Sequence, residues 1–192
     1  MQPQLRFSHI NNLTEARFAS AAGAHWIGFC FDKCHLQYIN PLKAKEIMDW
    51  LVGPAYFGIF DGHDAEEMKG ICGMIGLKGI QMPLKFVNAE RENLGLDLCI
   101  EANLQNITSE EKEWLLANDI AICLNGQFEE SEVNFIEKLS PRLWWGLDSG
   151  DMKTVLKRFN QMGINIEGSN EEKPGLFDLS RVQELLDMLE EG

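Results

Sequence analysis

The apolar positions fall into short runs separated by longer stretches with helical spacing, and this alternation repeats along the chain. Gly23-Ala-His-Trp-Ile-Gly-Phe-Cys-Phe is the clearest unit. It is followed by Gly53-Pro-Ala-Tyr-Phe-Gly-Ile-Phe, Gly76-Leu-Lys-Gly-Ile-Gln, Gly95-Leu-Asp-Leu-Cys-Ile and Gly163-Ile-Asn-Ile. In each, a glycine suited to ending a helix precedes a run suited to a buried strand. Leu5 to Ile10, Asp119 to Leu124 and Arg142 to Gly146 bring the predicted strands to eight.

The stretches between them carry helix-start signals. Asn12 stands three residues before Glu15, Asp64 before Glu67 and Thr108 before Glu111, the last resembling a capping box. Pro41 opens the second helix where its missing N–H costs little. Pro83 to Asn93 is polar and short, so the fourth helix is expected to shrink to a turn or two. The last helix is predicted at about Leu179 to Leu189, with Val182, Leu185, Leu186 and Leu189 on one face.

Strands alternating with helices imply parallel pairing through right-handed crossovers. The expected fold is therefore α/β: a small single-domain (β/α)8 TIM barrel over residues 1–192, with the fourth helix reduced. An open doubly wound sheet is the alternative, but no Gly-rich phosphate fingerprint follows the first strand.

Charge narrows the partners. Seventeen Lys and Arg against thirty Asp and Glu give a net charge of −13, which opposes attraction to nucleic acid and to anionic membranes. The opening Met1-Gln-Pro-Gln-Leu-Arg-Phe-Ser-His offers no signal-peptide core, no run reaches the length of a membrane span, and a cytoplasmic location is expected. Five cysteines, Cys30, Cys34, Cys72, Cys99 and Cys123, are odd in number and mostly inside apolar runs, as reduced thiols would be.

Three stretches resemble phosphoribosylanthranilate isomerase. Leu5-Arg-Phe-Ser-His-Ile-Asn-Asn-Leu-Thr-Glu-Ala with Gly23-Ala-His-Trp-Ile-Gly-Phe-Cys-Phe is similar to that family's opening V-K-I-C-G-I-T and G-A-D-x-x-G-F-x-F, with matching spacing. Gln37-Tyr-Ile-Asn-Pro41 resembles R-Y-V-S-P, while Phe57-Gly-Ile-Phe and Gly79-Ile-Gln81 resemble V-G-V-F and A-V-Q-L-H. Trp145-Gly-Leu, Gly163-Ile-Asn-Ile and Pro174-Gly-Leu-Phe-Asp resemble G-G-L, V-D-V and P-G-x-K-D. The likeness is weak only between about Pro83 and Glu137.

The resemblance implies an Amadori rearrangement in tryptophan biosynthesis, with a cysteine base at the end of the first strand and an aspartic acid at the end of the sixth. Those positions are Ser8 and Asn125, a hydroxyl and an amide that are poor substitutes for a thiolate and a carboxylic acid. The family's arginine is Gln37, Glu167 stands near the implied phosphate position, and the G-G-T-G loop is replaced by Gly126-Gln-Phe-Glu-Glu. Ligand contacts are expected from Arg6, Gln37, Gln81, Glu101, Gly146, Glu167, Gly168 and Ser169 at the C-terminal mouth of the barrel.

These departures point to a non-catalytic relative that binds a small molecule or a protein, as a monomer or homodimer. Asp32, Asp61, Glu101, Asp148 and Glu167 at strand ends would favour a cation or amine over a phosphate ester. The alternatives are an atypical phosphoribosylanthranilate isomerase, or an isomerase or lyase for another sugar-derived substrate with His9 or His35 as its base. Strand alternation turns Ser8 and His9 to opposite faces unless the strand has ended. Cys30, Cys34 and His35 form a C-x3-C-H cluster, but a second ligand pair is missing, so neither metal nor cofactor is expected. Of Trp144 and Trp145, one should face inward and the other outward.

Overall fold

The computed structural model describes residues 3–88, 94–147, 152–159, 161–168 and 180–190. The strands are β1 Leu5–Ser8, β2 Trp26–Cys30, β3 Ala55–Ile59, β4 Gly79–Pro83, β5 Asp97–Asn103, β6 Ala121–Asn125, β7 Leu143–Gly146 and β8 Gly163–Glu167. All pair in parallel, each with its sequence neighbour, and β8 closes onto β1 with Ser8 opposite Glu167. The closed eight-stranded barrel is the expected (β/α)8 fold, and the open sheet is excluded.

The helices around it are α1 Leu13–Ala21, α2 Pro41–Asp49, α3 Ala65–Ile75, α4 Ser109–Ala117, α5 Val133–Leu139, α6 Met152–Arg158 and α7 Ser180–Glu190. Asn12, Asp64 and Thr108 cap α1, α3 and α4 by accepting from the N–H three residues on, and Thr108 with Glu111 forms the full capping box. Between β4 and β5 the described residues hold only a 3-10 turn, Leu84–Phe86. The remainder of the stretch expected to hold the reduced fourth helix, 89–93, lies outside the described residues.

The glycines that introduce the strands divide into two kinds. Gly76 ends α3 directly in the left-handed region, at φ 78°, where a Cβ would be strained. Gly163 instead lies inside β8, and a Cβ there would stand 2.4 Å from the Trp144 ring. Its role is space rather than capping.

Apolar packing forms two layers. Outward-facing strand residues such as Phe7, Phe29, Ile80, Ile100, Leu124 and Trp145 join buried helix residues such as Ala16, Ile47, Met68 and Ile136 in the main core. The lumen holds a smaller cluster of Trp26, Cys30, Phe57 and Ile59. Trp145 is fully buried outside the barrel against Phe128, while Trp144 faces inward toward Arg6, as alternation requires.

Candidate functional site

Inward positions of successive strands stack polar groups up the lumen. Arg6 on β1 is only 3 % exposed, with its guanidinium 3.8 Å above the Phe57 ring and donating to Cys99 Sγ at 2.8 Å and to Gln81 Oε1. Because the Gln81 oxygen is engaged by Arg6, its amide nitrogen donates upward to Glu101 Oε2 at 2.7 Å. Asn125 Nδ2 donates to the other Glu101 oxygen at 3.4 Å. A cation, an amide and a carboxylate thus form one relay from the barrel centre to its mouth, with hydrogen-bond polarity fixed by the arginine. Arg6 and Gln81 are interior struts, and Glu101 is the relay's half-buried upper end.

Ser8 is fully buried. Its Oγ accepts from Asn165 Nδ2 at 3.2 Å and lies 3.3 Å from His9 Nδ1. The predicted strand to Ile10 stops at Ser8 because His9 takes φ 58°, the left-handed region that non-glycine residues rarely occupy. That turn brings Ser8 and His9 together. Burial, with His35 and Arg6 nearby, pushes the His9 imidazole down to about 4, so it is neutral at pH 7.

Gly168, one of the residues expected near an anion, is engaged by protein contacts. The Gly168 N–H donates to the Ser8 carbonyl at 2.8 Å, and the Gly168 carbonyl accepts from Gln37 Nε2 at 2.9 Å. A Cβ on Gly168 would stand 2.8 Å from the His9 carbonyl oxygen and 3.3 Å from Glu15 Oε2. Glu15 is buried and was legible in the sequence only as a capping residue; its second role beside Gly168 is a tertiary effect. Ser169 and Asp148 lie outside the described residues.

Two hollows open at the mouth. One, of about 560 Å³, is lined by Asn103, Gln105, Asn125, Gly126, Gln127, Gly146, Leu147, Asn165 and Glu167. The second, of about 390 Å³, shares Asn103 and Asn125 and adds Glu101, Glu111 and Lys85, whose Nζ lies 4.6 Å from the Phe86 ring centre. A third cavity of about 490 Å³ lies at the opposite, N-terminal end, between Trp26, Phe57, Asp97, Asp119 and Trp144. The ends of parallel barrel strands make the first two the chemically relevant ones.

The loop after β2 returns on itself. His35 N–H donates to the Asp32 carbonyl at 3.0 Å, and Ile39 N–H to the Cys30 carbonyl at 2.9 Å. The His35 ring stacks on His9 with centroids 4.8 Å apart. His9, Cys30 and His35 thereby converge, whereas Cys34 is exposed and its N–H is held by Asp32 Oδ1 at 2.9 Å. The C-x3-C-H cluster of the sequence is not assembled in space; His9 takes the place of Cys34.

Fold and site together define a small parallel barrel with a polar, amide-lined mouth. Solved structures of the same fold include phosphoribosylanthranilate isomerase from Thermus thermophilus, at 18 % identity and a TM-score of 0.80 over 98 % of both chains. The enzyme from Thermotoga maritima matches at 17 % identity and a TM-score of 0.79, covering 99 % of this chain and all of that one. The Pyrococcus furiosus enzyme matches at 16 % and 0.72, covering 99 % and 100 %. No protein-family model matches the sequence, and no curated protein does. Identities this low establish the fold, not the chemistry. No helix among the described residues is long and apolar enough to cross a membrane.

Proposed function

We propose that this phosphoribosylanthranilate isomerase-like barrel binds a small polar molecule, neutral or cationic, in its mouth and does not carry out the Amadori rearrangement. The observation that carries this reading is the lining of the larger mouth hollow: five amide side chains and the Glu167 carboxylate, with no Lys or Arg among the described residues. Amides supply both donors and acceptors, which suits hydroxyl and amino groups, while the carboxylate opposes a phosphate monoester. The engaged Gly168 N–H and the Glu15 carboxylate beside it support the same exclusion.

Rearrangement needs a base and an acid that both reach the substrate. Ser8, at the base position, is fully buried and already hydrogen-bonded, and Asn125, at the acid position, has no proton to give. A diverged isomerase or lyase is the second reading, favoured by the proximity of His9 to Ser8. The burial of His9 argues against direct contact with a substrate.

Calorimetry with putrescine, ribose and ribose 5-phosphate tests the proposal. The diamine or the free sugar should bind more tightly than the phosphate, and Glu167→Gln should weaken the diamine at least about tenfold. Tighter binding of ribose 5-phosphate than of both other probes overturns it.

A further inference from the structure

We infer that His9, Cys30 and His35 form a binding site for a divalent metal ion of the zinc class, with a fourth coordination position open to a small ligand. Their ligand atoms lie within 4.8 Å of one another, and among the described residues this is the one group of three histidine, cysteine or acidic side chains so placed. It shares no residue with the amide-lined hollow, so it stands independently of the function proposed above.

Each ligand is delivered by a separate structural device. Cys30 is the last residue of β2 and faces the lumen beside Phe57 and Ile59. His9 follows β1, and its left-handed backbone turns the ring toward Cys30 instead of outward. His35 is brought back over the strand end by the Asp32–His35 turn and by the bridge between Cys30 and Tyr38. Two ligands are therefore fixed in buried structure, and the third sits on an exposed loop.

Bond lengths of about 2.0–2.1 Å to nitrogen and about 2.3 Å to sulfur place tetrahedral ligand atoms roughly 3.4–3.6 Å apart. Closing the observed cluster to that size takes a shift of about 1 Å, which the exposed His35 can make by rotating off the His9 ring. Ser8 Oγ, 3.3 Å from His9 Nδ1, can accept that N–H and leave Nε2 for the metal, the usual support for a ligating histidine. Asp32, Asp61 and Glu101 all act electrostatically on Cys30, and their negative field favours a cation there. One thiolate and two imidazoles match a borderline metal such as Zn²⁺ or Co²⁺ better than the oxygen-seeking Mg²⁺ or Ca²⁺.

The test is titration of the metal-free protein with Co²⁺, followed by near-ultraviolet and visible absorption. One equivalent should saturate, giving a thiolate-to-cobalt charge-transfer band and the intense visible bands of tetrahedral cobalt, and Zn²⁺ should displace it. Cys30→Ser should abolish the charge-transfer band, and His35→Gln should weaken binding at least about tenfold. Cys34→Ser should change neither. Absence of saturable binding overturns the inference, as does a band that survives Cys30→Ser or vanishes in Cys34→Ser. If Cys30→Ser does not fold, the exposed His35→Gln decides: undiminished affinity overturns the site.

Discussion

Asn125→Asp would put a carboxyl at the end of the sixth strand, and the relay makes its cost calculable. Asn125 Nδ2 stands 3.4 Å from Glu101 Oε1, and Glu101 is also held at 2.7 Å by Gln81. Two carboxylates at that separation repel by about 5 kcal/mol at an effective dielectric of 20. Both positions are half-buried, so solvent screening reduces this to about 1–3 kcal/mol. The pair relieves the repulsion by sharing a proton, which raises one carboxyl's pKa by about 1–2 units. The folded variant then holds a proton that the unfolded chain releases near pH 4. Its stability deficit is therefore small at pH 4, grows as pH rises through the raised value, and is full at pH 7.5. Urea denaturation should show the variant less stable than the parent by about 1–3 kcal/mol at pH 7.5 and by roughly half to three-quarters of that at pH 5, and Glu101→Gln in the same chain should remove the difference. An identical deficit at both pH values would refute the placement of Glu101 against Asn125.

Three further outcomes follow from packing and burial. Gly28→Ala would set a Cβ 2.1 Å from Phe57 Cζ, so chemical denaturation should show a loss of about 1–3 kcal/mol, partly restored by Phe57→Leu. In the metal-free protein the His9 imidazole, pushed down to about 4, leaves stability unaffected above pH 6.5; as pH falls from 6.5 toward 4 the unfolded chain gains a proton that the fold refuses, at a cost of about 3 kcal/mol. His9→Gln should flatten that slope in pH-dependent melts, and an unchanged slope would assign it to another group. With a thiol reagent at pH 8 the native chain should show one fast equivalent, Cys34. Burial pushes Cys30 up to about 11 and Cys72 up to about 12, and raises Cys99 and Cys123 as well; four fast thiols would contradict these burials.

The barrel was legible because each unit states its own boundaries. Asn12, Pro41, Asp64 and Thr108 begin helices by local hydrogen bonding or fixed φ, so no tertiary knowledge was needed to place them. The inward and outward tryptophans at 144 and 145 followed from strand alternation alone. The site was less legible for the opposite reason. Arg6 and Gln81 share an interior level although they are 75 residues apart, and only barrel closure reveals that they bond to each other. His9 was a candidate base in the sequence, but alternation continued past Ser8 would send it outward, and nothing local in Ser8-His9-Ile10 announces the left-handed residue that turns it back. The C-x3-C-H spacing in turn suggested Cys34, but the Asp32 turn leaves that thiol in solvent.

The proposed function turns on Ser8 and Asn125, a buried hydroxyl and an amide that do not supply the base and acid an Amadori rearrangement needs. The most direct measurement is turnover of N-(5′-phosphoribosyl)anthranilate by the purified chain, followed by substrate fluorescence. The account predicts a rate indistinguishable from buffer in both the parent chain and Ser8→Ala. Rapid conversion that Ser8→Ala or Asn125→Ala abolishes would contradict it.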